Sequence, residues 1–314
     1  MRKVQRKQIS IQSRSLNSPE QPLSSVIAAT IKTGIIKSNL LAMMAGLALA
    51  LYMNQLNPLD KLAEIFLAVI GSFLIIGAAG AFNNLYDRDI DSVMERTKNR
   101  PTVAGTIKPL TVLRLGVLMT LFGLAALALA SPLAAVMGFL GLFFYVVPYT
   151  MWSKRRTVYN TEIGSISGGM PPLIGWAAVD PNIFHPAIVG LFATTVIWQM
   201  PHFYAIAIRK HDDYKAANVP MLPVVKGFKR TYIQTNIYLV VLTAASFLFK
   251  PVGFVPMFAA LLLNIAWLAL SIFGYRKMGA EKWAKLMFIY SLLYIMVLFT
   301  LIILYSLIGM WFEM

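Results

Sequence analysis

Three oxygen-bearing side chains lie four residues apart at the end of a long apolar stretch: Asn83, Asp87 and Asp91. At 3.6 residues per turn, this spacing places all three on one face of a helix. Acidic groups at the end of a membrane helix, with an amide one turn deeper, are unfavourable unless they serve a function. Carboxylate and amide oxygens are hard ligands that suit Mg²⁺, and phosphate oxygens complete its shell. The sequence therefore predicts a Mg²⁺ site that holds a diphosphate.

A second acidic pair, Asp212-Asp213, follows the sixth apolar segment. If both acidic groups lie on one side of a membrane, two Mg²⁺ ions can be held between them with a diphosphate bridging. The alternative is that Asp212 and Asp213 are solvated loop residues. Asp89 lies about 200° around the helix from Asp87 and is a poorer candidate ligand. The candidate metal ligands are Asn83, Asp87, Asp91, Asp212 and Asp213, and all but Asp212 are expected to be essential for catalysis.

Basic residues accompany both acidic groups. The side chains predicted to bind diphosphate are Arg88, Arg96, Lys98, Arg100, Lys154, Arg155 and Lys210. Guanidinium and ammonium groups would hold the diphosphate oxygens and stabilise the charge of the leaving group. For other cations, such as Arg156, Lys215 and Lys229, a role as membrane anchors that set the orientation of the helices remains equally open.

A histidine lies inside the sixth apolar segment, within Trp198-Gln199-Met200-Pro201-His202-Phe203. An ionisable residue inside a membrane span indicates a functional site. A neutral imidazole there could bind a heme iron, orient a substrate or hydrogen-bond to a neighbouring helix, and the sequence leaves these alternatives open.

The fifth apolar segment is rich in small residues and contains Pro171-Pro172. Small residues permit close helix packing. A membrane tolerates a proline-broken helix only where protein or a cavity covers the freed backbone. This segment is therefore predicted to line a central cavity, with plain helix packing as the alternative. The residues predicted to line the cavity are Asn84, Tyr149, Asn160, Gly168, Pro171 and Tyr214.

The composition indicates a polytopic membrane protein of the all-α class, because 58% of the residues are hydrophobic and the mean hydropathy is +0.67. Nine apolar segments are each about long enough to span a core of roughly 30 Å: 31–53, 63–86, 110–130, 133–151, 160–179, 185–208, 231–249, 254–275 and 284–309. With nine spans, 26 of the 28 Lys and Arg residues fall on one side. The positive-inside rule then predicts a cytoplasmic N-terminus, an external C-terminus and acidic groups at the cytoplasmic face.

The cysteine count and the net charge narrow the function further. The chain has no cysteine, which excludes disulfides, thiolate metal sites and a cysteine nucleophile. A net charge of +15 would favour a nucleic-acid partner in a soluble protein. Here membrane topology accounts for the distribution of the charge, so no nucleic-acid partner is predicted.

Residues 1–30 are predicted to form a basic, disordered cytoplasmic tail, and residues 31–314 to form the membrane domain. The start of the chain is rich in Ser and Gln and lacks the apolar region of a signal peptide. A mitochondrial transit segment is the alternative. The predicted location is accordingly a bacterial inner membrane or, as the alternative, the mitochondrial inner membrane.

Several motifs, occurring in a fixed order, resemble those of the intramembrane aromatic prenyltransferases of the UbiA superfamily, and in finer detail its heme-farnesylating branch, the protoheme IX farnesyltransferases. They are Asn83-Asn84-x-x-Asp87-Arg88-Asp89-Ile90-Asp91, Met94-x-Arg96-Thr97-Lys98-x-Arg100-Pro101, Lys154-Arg155-x-Thr157-x-x-Asn160, Gly168-Gly-x-Pro-Pro-x-x-Gly175-Trp176, Trp198-Gln-x-Pro-His-Phe203, and Asp213-Tyr214 with Pro220-Met-Leu-Pro223. Each motif is weak by itself, and their order makes the resemblance specific. It covers roughly residues 35–300.

The resemblance implies nine transmembrane helices around a central cavity and a Mg²⁺-dependent reaction. In that reaction farnesyl diphosphate, heme B and water give heme O and diphosphate. The resemblance also implies that His202, Trp198 and Gln199 bind heme, that the partners are heme B, farnesyl diphosphate and membrane lipid, and that a heme A synthase can act downstream. One departure concerns the second acidic motif, because many superfamily members have Asp-x-x-x-Asp where this chain has Asp213 and Ala217. The second metal site would then have fewer protein ligands or use Asp212.

Three other functions remain to be compared with this one. A quinone-pathway prenyltransferase would use the same metal chemistry on a phenolic acceptor. A secondary transporter would place functional acids near the middle of the membrane, whereas these acids cluster at one face. A structural assembly factor for a heme oxidase would not require Asp87 and Asp91 at helical spacing.

Overall fold

The computed structural model describes residues 22–313, and its regular structure there is helical throughout. The long helices are α1 Thr33–Met53, α2 Leu62–Tyr86, α3 Pro109–Ala130, α4 Pro132–Phe144, α5 Asn160–Ala177, α6 Pro186–Arg209, α7 Leu222–Ala245, α8 Phe254–Met278 and α9 Ala280–Glu313. Short α-helices occupy Leu23–Ile31, Arg88–Val93, Pro101–Ala104, Lys154–Arg156 and His211–Ala216, and 3-10 turns occupy Pro58–Lys61 and Ser246–Phe249. The predicted all-α class is confirmed.

The N-terminal segment differs in part from the predicted tail. Residues 1–21 lie outside the described residues, but Leu23–Ile31 is a helix that packs against α2. This helix ends at Lys32, which adopts the left-handed conformation with φ 58° and ψ 57° before α1 begins. A residue other than glycine is uncommon in that conformation, and here it marks the turn between two helices.

Proline residues define where several spans begin. Pro109, Pro132 and Pro186 each occupy the first turn of their helices, α3, α4 and α6. Proline suits that position because its fixed φ is already helical and its missing N–H would have no partner there. The predicted starts at 110, 133 and 185 agree with these positions to within one residue.

Eight helices of the described chain are long and apolar enough to cross a membrane. The segment predicted as the fifth span forms helix α5, which has 18 residues but is not among the eight. Its polar side chains, including Asn160, Glu162 and Ser165, lower its hydropathy. Length and hydropathy therefore do not confirm the predicted count of nine membrane spans. Helix α5 is largely buried among its neighbours, and its own sequence is less apolar than those of the eight.

Helix α5 packs very closely against α1. A Cβ atom at Gly175 would overlap the main chain of Met43, and one at Gly46 would overlap the carbonyl group of Pro172. Glycine is required at both positions because the two backbones approach within a side-chain radius. Close packing and the lining of a cavity, which the sequence left as alternatives for this segment, thus both occur in α5.

A cavity of about 510 Å³ lies at the centre of the bundle. Residues of α1, α2, α4, α5, α6 and α9 line it, together with the loop after α2. Near the cavity, α4 continues into a π-helix, Tyr145–Ser153, that contains Pro148. Such π-helical turns are rare and occur often at functional sites, because the extra residue redirects side chains.

Candidate active site

The two carboxylates predicted from helical spacing are buried at the end of α2. Asp87 is fully buried and Asp91 is 2% exposed. The α-helix is interrupted at Asp87, but the N–H of Asp87 still bonds to Asn83 O at 2.9 Å and that of Asp91 to Asp87 O at 2.7 Å. The one-turn spacing is therefore preserved across the interruption, and all three side chains are available on one face.

Asn83 connects this face to two other parts of the chain. Its Nδ2 donates to Asp87 Oδ2 at 2.8 Å and to Thr150 Oγ1 in the π-helix at 2.9 Å. Its Oδ1 accepts a hydrogen bond from Nζ of Lys32. The amide is thus oriented with its oxygen towards a cation, which is the orientation that a metal ligand needs.

Each carboxylate is paired with a cation from a different segment. Lys154 Nζ forms an ion pair with Asp87 Oδ2, and Arg155 Nη2 lies 3.4 Å from Asp87 Oδ1. Arg100 Nη1 lies 2.5 Å from Asp91 Oδ2. Buried charges persist only when they are paired in this way. The structure therefore gathers cations and anions from three separate stretches of sequence at one point.

Lys32 is the cation that the sequence gave no reason to select. Its side chain lines the cavity. Burial holds the pKa of Lys32 well below its usual range, with Arg100 and Lys154 adding to the effect and Asp87 and Asp91 opposing it. An anion placed beside Lys32 would favour its charged form. No pattern in the sequence indicated the turn at Lys32, because residues 31–53 were predicted as one continuous span.

Arg96 and Tyr214 form another part of the cavity wall. Arg96 Nη2 donates to the Tyr214 hydroxyl at 3.1 Å, and its guanidinium carbon lies 5.6 Å from the centre of the tyrosine ring. Burial raises the pKa of Tyr214 in spite of Arg96 and Arg100 nearby. The tyrosine hydroxyl therefore keeps its proton, which is available for donation into the cavity.

Of the seven cations predicted to bind diphosphate, three line the cavity: Arg96, Arg100 and Lys154. The other four are positioned elsewhere. Arg88 Nε donates to Thr102 O at 3.1 Å, and Lys98 pairs with Glu95 at the exposed surface. Arg155 pairs with Asp89 as well as with Asp87, while Lys210 lies 3.9 Å from Asp213.

The second acidic pair does not join the first in a cluster. Asp212 is almost fully exposed, with its carboxylate 3.0 Å from His211 Nδ1. The side chain of Asp213 is 14% exposed. Within residues 22–313 no group of three or more His, Asp or Glu side chains is placed to hold a metal ion. A shared site built from both acidic pairs is therefore not assembled in this conformation.

Two of the residues predicted to line the cavity do not do so. Asn84 is buried and donates from Nδ2 to Thr30 O at 2.7 Å, which fixes the N-terminal helix to α2. Asn160 donates to Thr157 O at 2.7 Å and to Pro220 O at 3.3 Å, so it ties together two loops. The remaining four predictions, Tyr149, Gly168, Pro171 and Tyr214, are on the cavity wall.

The part of the cavity away from the charged cluster is largely apolar and aromatic. It includes Trp198, Gln199 and His202 of α6, with Phe288 and Phe299 of α9. Gln199 Nε2 donates to Ser165 O at 2.9 Å and to Thr195 O at 3.1 Å. The cavity thus has a charged end and an apolar region, and it is suited to an amphipathic molecule whose anionic group meets the cations.

Tyr145 and Thr150 are two further residues of the site that no sequence pattern indicated. Both lie in the π-helix, and Tyr145 lines the cavity. The tyrosine spacing in Tyr145 and Tyr149 matched one turn of an α-helix and gave no sign of the wider π turn. Pro148 was the one local signal that the helix would be irregular there.

The arrangement of helices matches that of solved intramembrane prenyltransferase structures. A digeranylgeranylglyceryl phosphate synthase superposes with a TM-score of 0.69 over 91% of this chain and 98% of that chain, at 16% identity. A UbiA homolog from Archaeoglobus fulgidus, bound to GPP and Mg²⁺, superposes with a TM-score of 0.62 over 88% of this chain and 99% of that one, at 13% identity. These likenesses define the fold class.

The chain belongs to the UbiA prenyltransferase family, whose sequence profile matches residues 39–293. It is 66% identical over 287 residues to protoheme IX farnesyltransferase 1 of Bacillus cytotoxicus, covering 91% of this chain and 94% of that protein. It is 62% identical over 300 residues to protoheme IX farnesyltransferase of Shouchella clausii, covering 96% of each. The resemblance drawn from the motifs is confirmed, and the chain is a multi-pass membrane enzyme that transfers a prenyl group.

Proposed function

We propose that this chain transfers the farnesyl group of farnesyl diphosphate to a vinyl group of heme B, with addition of water, to give heme O and diphosphate. The observation that carries the proposal is the cavity itself, which joins a cluster of buried acids and cations to an apolar, aromatic region. The names of the similar curated proteins support farnesyl transfer to heme in particular.

The residues at the end of α2 fit a Mg²⁺ ion. Asn83 Oδ1, Asp87 Oδ2 and Asp91 Oδ2 each face a protein cation, namely Lys32, Lys154 and Arg100. Positive charge is therefore favoured at all three hard oxygens, which are of the type that Mg²⁺ prefers. When bound there, Mg²⁺ would supply electrostatic stabilisation of the departing diphosphate.

The cavity-lining cations would bind the diphosphate. Arg96, Arg100 and Lys154 can donate to phosphate oxygens, and the Tyr214 hydroxyl retains a proton for the same purpose. These donors stabilise negative charge that develops as the allylic C–O bond breaks and its electron pair leaves with the diphosphate. Arg155 and Asp89 are proposed to support Lys154 from outside the cavity.

The apolar region would hold the farnesyl chain and the porphyrin and exclude bulk water. The π electrons of the heme vinyl group then form the new C–C bond to the farnesyl cation. A water molecule adds to the cation left beside the porphyrin and loses a proton, which gives a hydroxyethylfarnesyl group. No enzyme nucleophile is required, in keeping with a chain that has no cysteine.

The second acidic pair has a more limited role in the proposal. Asp213, rather than Asp212, is the candidate ligand for a second Mg²⁺ because its carboxylate is mostly buried and its neighbour Tyr214 lines the cavity.

The charge distribution supports a cytoplasmic position for the charged end of the cavity, with the enzyme in a bacterial inner membrane. Heme O would then be released towards a downstream enzyme such as heme A synthase. Labelling of single cysteines introduced at Lys98 and at Lys250, with a reagent that cannot cross the membrane, tests this orientation. In intact cells we expect the reagent to label the cysteine at position 250 and not the one at position 98. Labelling at position 98 would indicate the opposite orientation.

The decisive experiment uses purified protein in detergent with heme B, farnesyl diphosphate and Mg²⁺, followed by mass analysis of the extracted heme. We expect a Mg²⁺-dependent gain of one farnesyl group and one water. Unchanged heme, together with prenylation of a phenolic acid under the same conditions, would replace this proposal with a quinone-pathway prenyltransferase.

A further inference from the structure

His202 is held rigidly by aromatic neighbours on the cavity wall. Its ring stacks on Trp198 with centroids 4.6 Å apart and 18° between the planes, and on Phe288 with centroids 5.3 Å apart and 28° between the planes. The indole Nε1 of Trp198 donates to the carbonyl oxygen of Ser291 at 3.0 Å. Residues of α6 and α9 together therefore fix the plane of the imidazole.

The hydrogen bonds of Ser291 determine which nitrogen of His202 carries the proton. The Ser291 hydroxyl donates to Phe288 O at 2.6 Å, and the same Oγ lies 2.7 Å from Nδ1 of His202. A serine hydroxyl has a single proton. The arrangement that satisfies Phe288 O as well is the one in which Nδ1 of His202 carries a proton and donates it to Ser291 Oγ. The neutral imidazole then carries its lone pair on Nε2.

No hydrogen bond within the described residues involves this lone pair. Nε2 of His202 has no hydrogen-bond partner in the part of the chain that the structure describes, and it is not sealed off by its neighbours. The adjacent Gln199 amide already donates to two backbone carbonyls. Because His202 lines the cavity, its free nitrogen is accessible from the apolar region proposed for the acceptor.

Building on the proposed function, we infer that Nε2 of His202 binds the iron of the acceptor heme and that Ser291 is the positioning residue for this ligand. Histidines that bind metals commonly donate their other ring N–H to a neighbouring oxygen, which fixes the tautomer and the ring orientation. An axial imidazole stands perpendicular to the porphyrin. Trp198 and Phe288, nearly parallel to the imidazole, would present their edges to the same porphyrin face.

Iron ligation at this point explains how a flat, nearly symmetric acceptor could be held in one place. The bond to His202 fixes the centre of the porphyrin against α6 and α9. The vinyl groups at the ring edge stay free for the farnesyl cation. His202 would thus recognise the acceptor heme, whereas the charged cluster binds the diphosphate.

The test compares ferric heme B with metal-free protoporphyrin IX, which has the same ring and vinyl groups but no iron. Both are titrated into purified wild-type protein and into His202→Leu, Ser291→Ala and His185→Leu variants. His185 is the matched control because it also stacks on a tryptophan, Trp176, at 5.2 Å, but its Nδ1 caps the start of α6. Farnesyl diphosphate binding is measured in every sample to show that the protein is folded.

We expect wild-type protein to bind heme with a single-histidine absorption spectrum and about 10–100-fold more tightly than the metal-free ring. His202→Leu should remove both the spectrum and the preference for iron. Ser291→Ala should weaken heme binding about tenfold and shift the spectrum, since it removes only the partner of Nδ1 and leaves the Trp198 bond to the Ser291 backbone. His185→Leu should match wild type.

Two outcomes would overturn the inference in distinguishable ways. An unchanged heme spectrum and affinity in His202→Leu would refute iron ligation by His202, while heme O formation by wild-type protein would leave the proposed function intact. Failure of wild-type protein both to bind heme and to form heme O would reject the inference together with the proposed function.

Discussion

The two acidic segments of this protein have similar residues but very different surroundings. Asp87 and Asp91 are buried; Asp87 is paired with Lys154, 67 residues away, and Asp91 with Arg100, nine residues further along the chain. Asp212 is almost fully exposed, and Asp213 has a long contact of 3.9 Å with Lys210, the residue just before its short helix. Burial makes the charges of the first segment depend on exact partners, whereas water can compensate the charge of Asp212 in the second. The first segment is therefore the one in which a substitution should have large effects.

The largest effect is expected from a double substitution in the first segment, Asp87→Ala with Asp91→Ala. Loss of both carboxylates should remove the proposed metal site and lower turnover by about 10³-fold or more. Heme O formation is measured by mass analysis of extracted heme, and farnesyl diphosphate binding is measured alongside. Wild-type yield from the double variant would contradict the role given to this segment.

A smaller effect is expected when one cation of the cluster is removed. Lys154→Met should lower kcat/KM for farnesyl diphosphate about 10²-fold, because a donor to the diphosphate is lost and the longer contact with Arg155 is the one ion pair that Asp87 retains among the described residues. Lys98→Met is the matched control, since Lys98 pairs with Glu95 at the surface. It should change kcat/KM less than about twofold. Equal losses of kcat/KM in the two variants would contradict the assignment of Lys154, and not Lys98, as a diphosphate donor.

The second acidic segment allows a comparison between adjacent residues. Asp213→Asn should raise the Mg²⁺ concentration needed for half-maximal turnover about tenfold, because it removes a mostly buried candidate ligand. Asp212→Asn should leave that concentration unchanged, since the Asp212 side chain is in solvent. The measurement is a Mg²⁺ titration of initial rates. A larger effect of Asp212→Asn would mean that Asp212, and not Asp213, is the ligand of the second Mg²⁺.

The smallest effect is expected at the rim of the first segment, where Asp89 accepts two hydrogen bonds from Arg155 at 2.6 and 2.8 Å. These bonds lower the pKa of Asp89 to about 2, with burial opposing them. The contribution of Asp89 to stability is therefore complete above the unfolded-state pKa near 4 and is lost as the pH falls towards 2.

Thermal unfolding in detergent tests this pH dependence. Asp89→Asn should lower Tm by a small, constant amount between pH 5 and pH 8, because Asp89 does not titrate in that interval. The pair is largely solvated, so the loss should be at most about 1 kcal/mol. A difference that grows or shrinks between pH 5 and pH 8 would show that another group controls this ion pair.

Local spacing and composition were enough to predict much of this protein. The all-α class, the approximate bounds of most spans and the shared face of Asn83, Asp87 and Asp91 depend on neighbours along the chain, so the sequence displays them directly. The family also follows from ordered motifs, and the profile and relatives confirm it.

Other predictions were not confirmed, because they depended on which helix packs against which. Asn84 and Asn160 were predicted to line the cavity and instead tie loops and helices together. The span count depended on α5, whose polar residues are sheltered by neighbouring helices. Neither result can be read from hydropathy, which measures a segment without its partners.

The sequence by itself thus determined the class of membrane protein, the acidic helix end and the chemistry that such an end can support. Only the tertiary structure decided which cations meet Asp87 and Asp91, that Lys32 reaches Asn83, and that Ser291 lies against Nδ1 of His202. The physical reason is that helical spacing is set by bonds within four residues. Ion pairs and hydrogen bonds between side chains are set by contacts between helices. In this chain the partners are 51 residues apart for Lys32 with Asn83, 67 for Lys154 with Asp87, and 89 for Ser291 with His202.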